Sequence, residues 1–550
     1  MPDEMITTPG SAIGQAIEAP PAAPMPGDLT KDLLETDVWT DEMVFRAGIP
    51  IVDVPFVSCG GGMGSFVLTN YLRIADVDTT QIRVLSNLDH PWQTYEYLTK
   101  VSQIPRQERL RSDSQSRPDC LWGFPSYALH EARAEKTLAP IVNVLTEPVL
   151  ADYWTPRAGT VFSSMEREVA CTRYPEMLVK GQVRMVRRQS GGGYFTILTP
   201  PPGTSASRRI AYRSQYVHLA LGYPGLKFLP DLQEYRAKYN DLAHTVNAYE
   251  PHEHIYEGLM NKPGTVLVRG GGNVASRVLQ RLMDDRELKG AQTTILHLFR
   301  TYNAGPHNKW GFAKRRGAHG FAFQGFNAPK SAWGGQHIEQ MLKLECADRK
   351  ALYDLTGGAH TPYRKYWLDQ MKRGRDQGWY QTFQGEVTDV GPADGGVVTT
   401  IRQANGSIAT IEAQIILDCT GLEADIREHR ICADLLDHSG AGRNPLGRLD
   451  VDPTFEVRGT RSGTGRLYAS GSATYGGYFQ GVDTFLGLQL SAQRITDDLA
   501  SSESGSASAD RSRAGGSGSD TNRSELANRN HSGSGAAMIV LDRLRDGTRG

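Results

Sequence analysis

The sequence predicts an α/β fold with two parallel sheets, each carrying an antiparallel β-meander, plus disordered N- and C-terminal tails. Three observations carry this expectation. Two glycine-rich turns, Gly60-Gly61-Gly62-Met63-Gly64-Ser65 and Gly270-Gly271-Gly272-Asn273-Val274-Ala275-Ser276, each follow an apolar β-branched run and open a helix-like stretch. Each is followed well downstream by alternating segments that end at a glycine, Gly222 and Gly421. The 550 residues leave room for two or three domains with cores of their own. Together these features describe two Rossmann-like dinucleotide-binding domains.

Taken in order, residues 1–45 read as a flexible leader, rich in Ala, Pro and Gly before Asp28, with one amphipathic turn around Leu33 to Phe45. The leader lacks the apolar stretch of a secretory signal. Residues 46–230 read as the first nucleotide-binding unit: a strand at 51–58, a helix at 65–74, a strand at 81–87, a helical insert over 88–180 and a meander over 181–221. Ser190-Gly191-Gly192-Gly193 and Pro200-Pro201-Pro202-Gly203 break that meander into hairpin-sized pieces.

The pattern restarts in residues 231–380, with strands at 265–269 and 293–299 around a helix at 275–284, and a helical stretch at 336–355. Residues 381–500 read as a second meander, spanning 380–416 with its lead-in, and a return to the first unit. That return comprises a short strand entering Gly471-Ser472 and a helix at 482–499. Residues 501–535 collapse to Ser, Gly, Asn, Asp and Arg, a composition that buries no core and reads as a disordered linker. Residues 536–550 end the chain with a short amphipathic segment, and 536–546 form a docking element for a protein partner.

Composition narrows the function. The net charge of -1 provides no global field for nucleic acid or anionic membrane. No run of about twenty apolar residues is present, so no membrane span is expected. None of the six cysteines forms a C-x-x-C pair, which argues against a zinc ribbon and a redox-active disulfide and for reduced thiols in the cytoplasm. His252 and His254 flank Glu253 without a distant partner, and no metal is assigned.

A dinucleotide pyrophosphate needs backbone N–H donors at close range and the positive end of a helix. In the first turn Gly60 makes the bend, Gly62 admits the phosphates, Met63 and Gly64 continue the cradle, and Ser65 is the small residue that packs helix on strand. In the second, Gly270, Gly272 and Ala275 take the three main roles, with Asn273 and Ser276 beside them. The second unit's last strand ends at Arg300, a cation suited to a ribose 2′-phosphate, and Arg277 adds another inside the helix; both point to NADPH. The equivalent position of the first unit is Asn87, with Asp89 two residues later, so the usual ribose-binding acid is displaced.

This order of glycine turn, meander, glycine turn, meander and closing strand resembles the two-dinucleotide-binding flavoproteins of the FAD/NAD(P)-binding oxidoreductase superfamily. Leu219-Ala220-Leu221-Gly222 and Leu417-Asp418-Cys419-Thr420-Gly421 look like its crossover motifs, and Leu467-Tyr468-Ala469-Ser470-Gly471-Ser472 like its closing motif. The resemblance implies FAD at Gly60, Gly62, Met63, Gly64, Ser65, Asn87, Gly471 and Ser472, the last replacing an acid that usually meets the ribitol. It implies NADPH at Gly270, Gly272, Asn273, Ala275, Ser276, Arg277 and Arg300.

Without C-x-x-C, the disulfide reductases of that superfamily are excluded. Arg109-Leu110-Arg111-Ser112-Asp113-Ser114 and Trp122-Gly123-Phe124-Pro125-Ser126-Tyr127 are similar in placement to the flavin-flanking segment of class B monooxygenases, including N-hydroxylases. The implied activity is reduction of FAD by NADPH and oxygen transfer from flavin C4a to a small-molecule metabolite. It demands no side-chain base, so no catalytic residue is assigned. Candidate pocket walls are Trp92, Trp122, Tyr127, Tyr475, Tyr478 and Phe479, and residues 303–335 read as a surface loop, with a mobile cover over the nicotinamide as the alternative. Two alternatives stay open: an NAD(P)H dehydrogenase serving a quinone or carrier protein, and a scaffold whose nucleotide sites have degenerated.

Overall fold

The computed structural model describes residues 27–109, 125–150, 157–305, 317–323, 336–356, 361, 364–422 and 425–514. Two five-stranded, all-parallel sheets organise these residues, each with the order of an open nucleotide-binding sheet. In the first, Phe56–Cys59 lies at the centre, between Tyr216–Leu219 and Ile82–Ser86. Arg466–Ala469 and Leu178–Lys180 form the edges. In the second, Gly264–Arg269 is central between Ile415–Asp418 and Thr293–Phe299, with Thr245–Asn247 and Tyr380–Gln384 outermost. The central strands are nearly continuous apolar runs because helices cover both faces.

Each sheet carries its meander. Gln182–Gln189, Tyr194–Thr199 and Ile210–Ser214 pair antiparallel beside the first sheet, and Glu386–Ala393, Gly396–Arg402 and Ile408–Ala413 beside the second. Tyr380–Gln384, read from the sequence as the start of the second meander, instead pairs parallel with Thr293–Phe299. The meander's exit strand Ile415–Asp418 likewise joins the second sheet, so the chain returns to the first unit only after Gly421.

Two further expectations are corrected. Residues 27–45 are a folded part of the first unit, not a flexible leader. Leu33, Trp39 and Val44 are buried against Met185, Phe195 and Ile197 of the first meander. The Trp39 indole donates to the carbonyls of Leu33 and Thr36 at 2.9 and 3.0 Å, and Val38–Trp39 pairs parallel with the meander edge. Buried Arg187 stacks on Trp39 and pairs with Asp434. One tryptophan and two aliphatic anchors are enough to hold this short, otherwise polar segment.

At the other end, the closing helix runs Phe485–Ala514, past residue 501 where disorder was expected. Its start is anchored by Phe485, Leu488, Ala492 and Ile495, which pack on the helix Met63–Ile74. The Ser-rich stretch beyond it, with Gly505 inside, has weak helix propensity, so the packed start is what nucleates the helix. The remaining linker and the segment 536–546 lie outside the described residues. No helix among the described residues is long and apolar enough to cross a membrane.

Candidate nucleotide clefts

The two glycine turns occupy the carboxyl edge of the two sheets, where open α/β sheets bind ligands. Gly60 and Gly61 have φ of +122° and +67°. A Cβ on Gly60 would lie 2.1 Å from the Ala220 carbonyl oxygen, so the turn closes against the neighbouring strand's exit only with glycine there. A Cβ on Gly62, in contrast, would meet nothing nearer than 3.8 Å, which leaves its outer side open. Helix Met63–Ile74 starts at Gly62 without a side-chain cap, so its first N–H groups are presented to the cleft. Gly64 approaches Ala220 and Ser470 closely, a second small-residue contact between helix and sheet.

Ser65 does more than fill space. Its hydroxyl accepts from the Gly61 N–H at 3.1 Å and from the Ser58 hydroxyl at 2.8 Å. Ser58 in turn contacts His218 Nδ1 at 3.0 Å, and His218 Nε2 contacts Ser470 Oγ at 2.8 Å. This chain of buried groups crosses three strands, tying the glycine turn to the closing motif. Burial holds the His218 imidazole neutral, its pKa lowered to about 3. Tyr174 adds a brace by donating to the Gly61 carbonyl at 3.1 Å.

Asn87 stands exposed one residue beyond strand Ile82–Ser86, at the same sheet edge. The displaced acid Asp89 is bound to Lys180 at 2.6 Å, and that ammonium holds its carboxyl below the ordinary range. Gly471 has φ +72°, and buried Ser472 donates its hydroxyl to the Gly222 carbonyl, joining the closing motif to the first crossover. The structure therefore gathers Gly60, Gly62, Met63, Gly64, Ser65, Asn87, Gly471 and Ser472 along one edge.

The second turn repeats the geometry. Gly270 has φ +131°, and a Cβ there would lie 2.7 Å from the Cys419 carbonyl oxygen. Helix Asn273–Lys289 starts at Gly272 without a side-chain cap and stops at Gly290, whose φ of +84° suits a left-handed cap. Ala275 and Ser276 are buried, and Asn273 Oδ1 is buried without a hydrogen-bond partner. His297 spans this turn as His218 spans the first: its Nε2–H donates to the Gly270 carbonyl at 2.6 Å while Nδ1 accepts from Tyr380 at 2.9 Å. Burial lowers its pKa to about 4.

The two candidate arginines part company. Arg300 is exposed at the end of Thr293–Phe299 and free to meet a ligand. Arg277 is buried and pairs with Glu108 at 2.8 Å, so its charge is used between the units. Burial raises the Glu108 carboxyl, and the Arg277 and Arg364 guanidiniums outweigh it, keeping it ionised below the usual range. Arg281 to Gln103 at 3.0 Å and Tyr97 to the Tyr249 carbonyl at 3.2 Å join the units further. The N-terminal end of the second glycine helix is thus anchored to the first unit's insert.

Among the aromatic candidates, Phe479 is buried and stacked on Phe455, and Tyr475 meets Tyr353 edge-on. Trp92 is partly buried beside His90, and Tyr478 lies under Arg349. Trp122, the Tyr127 side chain and most of residues 303–335 lie outside the described residues. Sequence reasoning did not find the roles of Ser58, His218, His297, Tyr174 or Glu108. Only the histidines left a signal, as single polar residues inside apolar strands.

No protein-family model matches this chain, and no curated protein does. Solved structures do. Ornithine hydroxylase from Pseudomonas aeruginosa is similar at a TM-score of 0.57 and 14% identity, over 81% of this chain and 98% of that one. The ornithine N-hydroxylase of Kutzneria sp. 744, with reduced FAD, NADP+ and L-orn, gives 0.56 at 13% identity over 81% and 99%. The FAD-bound cadaverine monooxygenase of Erwinia amylovora gives 0.55 at 14% identity over 81% and 95%. The chain shares its fold with these ornithine and cadaverine hydroxylases.

Proposed function

We propose that this chain is an FAD- and NADPH-dependent monooxygenase of a small amine, working in a reducing, cytoplasmic setting. The observation that carries the reading is the pair of uncapped helix N-termini. Each stands behind a glycine turn at a parallel-sheet edge, and the two units are pinned together by Glu108 and Arg277. The amine is inferred from the fold's likeness to hydroxylases of ornithine and cadaverine. The five cysteines among the described residues are free, which fits a reducing compartment.

The residues fit both cofactors. The open side of Gly62 and the N–H groups of Met63, Gly64 and Ser65 suit the FAD pyrophosphate, with Asn87 as the ribose hydrogen-bonding group. With Ser472 already donating to Gly222, the closing motif offers backbone rather than a carboxylate to the ribitol. Gly270, Gly272, Ala275 and Ser276 suit the NADPH pyrophosphate, and the unpartnered Asn273 Oδ1 suits a hydroxyl or amide donor of the dinucleotide rather than its phosphates. Arg300 meets the 2′-phosphate; Arg277 positions the helix and leaves that task to it.

Bound together, FAD and NADPH supply hydride transfer and the activation of oxygen for transfer to the substrate. The protein's part is placement. Ser65, Ser58, His218 and Ser470 hold turn and closing motif in register, and a neutral His218 adds no charge beneath the flavin cleft. The test is coupling: NADPH and oxygen are consumed in equal amounts only when an amine such as L-ornithine or cadaverine is added. NADPH consumption with any electron acceptor in the absence of oxygen would instead assign a reductase.

A further inference from the structure

The structure assigns a carboxylate-binding seat to Arg349 and Tyr478, between helix Cys346–Thr356 and the loop after the closing motif. Arg349 is 3% exposed, yet no acid pairs with it among the described residues. Its guanidinium carbon lies 3.9 Å from the centre of the Tyr478 ring, stacked on its face. Its Nη2 donates to the Cys346 sulfur at 3.3 Å, a weak acceptor. Nε and Nη1 are buried with no partner. A buried guanidinium without a counter-charge is unfavourable, and arginine is the side chain best shaped to recover that cost by binding a carboxylate.

Tyr478 supplies the complementary donor. Arg458 Nη2 donates to its phenol oxygen at 3.1 Å while Arg458 itself pairs with Asp450. With that oxygen already accepting, the phenol O–H is left to donate to an incoming anion. The seat is rigid and well placed. One turn along the same helix, Tyr353 donates to the Phe479 carbonyl at 2.7 Å and packs edge-on against Tyr475. The loop they grip begins at Gly471 and Ser472, the rim of the first cleft.

The ligand is a carboxylate on the substrate, held while another part of the molecule reaches the oxygenation centre. That identification rests on the monooxygenase reading; the anion seat itself does not. The test is thermal unfolding of the FAD-loaded protein with acetate, L-lysine or cadaverine at constant ionic strength. Acetate and L-lysine should raise Tm in a saturable way. Arg349→Met should weaken the apparent affinity for both by roughly 10–100-fold, as loss of a charged hydrogen bond does, and leave the response to cadaverine unchanged.

Tyr478→Phe, which keeps the charge and the ring, should weaken acetate and L-lysine by a smaller factor. It serves as the deciding variant if Arg349→Met does not fold. No carboxylate-dependent rise in the parent protein, or an equal rise in both variants, would overturn the proposal. A protein purified without flavin that still shows the Arg349-dependent rise would overturn the monooxygenase reading and keep the seat.

Discussion

Gly270→Ala should yield a yellow protein that NADPH no longer reduces, whereas Gly60→Ala should yield a colourless one. At both positions a methyl group faces two obstacles. The φ angles, +131° and +122°, lie where L-residues are strained, and the added Cβ falls 2.7 Å from the Cys419 carbonyl oxygen or 2.1 Å from that of Ala220. Backbone strain alone costs on the order of 1–3 kcal/mol, and the contact with a fixed carbonyl adds to it. The chain relieves both by opening the turn, the proposed pyrophosphate cradle. The two turns belong to different sheets, so each loss should stay with its own cofactor.

Flavin per protein, read from the visible spectrum, and the rate of reduction by NADPH under anaerobic conditions separate the two results. On the same assay Arg300→Ala should raise the NADPH requirement by about tenfold, the worth of one charge-assisted contact to a phosphate, and spare NADH. A Gly270→Ala protein reduced at the parent rate would remove the second turn from the nucleotide site.

Mild acid should destabilise this protein through buried histidines, His218 and His297 foremost, with His429, its pKa lowered by burial to about 4, as a third. His218 and His297 are neutral in the fold, with pKa values of about 3 and about 4 against an ordinary 6.5. Above that ordinary value both states are unprotonated and nothing changes. As pH falls from 6.5 toward 4, the unfolded chain binds protons that the native state refuses, and stability drops. Each histidine contributes about 1.4 kcal/mol per pH unit, so the pair removes roughly 5 kcal/mol by about pH 4.5, a large share of a typical domain's total.

Urea unfolding across that range measures the slope. His297→Gln keeps a donor for the Gly270 carbonyl and an acceptor for Tyr380 but does not titrate, so it should lessen the slope by about a third, His218 and His429 keeping the rest. A stability that stays level between pH 7 and pH 5 in the parent protein would contradict the buried, neutral placement of both rings.

What the sequence made legible follows the range of the interactions involved. Strand 293–299 is read to the residue, and both glycine turns fall where the alternation of apolar runs and glycine places them. These are local signals, set by backbone conformation within a few residues. The misreadings all depend on distant partners. The segment 27–45 looks too polar to fold until Trp39 finds the first meander, and Tyr380–Gln384 alternates like a hairpin strand until Thr293–Phe299 claims it. The closing helix starts from a face packed on Met63–Ile74 and runs on into the Ser-rich residues that composition alone reads as linker.

The same distinction holds within the clefts. Glycines and small residues are readable because each answers a local steric need. Arg277 looked as available as Arg300, and only the fold reveals that Glu108 uses its charge to join the units. Arg349 gave no sequence signal at all. Its meaning lies in its burial against the Tyr478 ring, with no ion-pair partner among the described residues.

The account stands on FAD and NADPH lying close enough for a hydride to pass between them. Mixing the yellow protein with NADPH in the absence of oxygen tests this directly. The flavin absorption should bleach in a single phase whose rate saturates with NADPH, and slow when the transferred hydrogen is deuterium. A flavin that keeps its colour under NADPH, or a protein that binds no flavin, would contradict it.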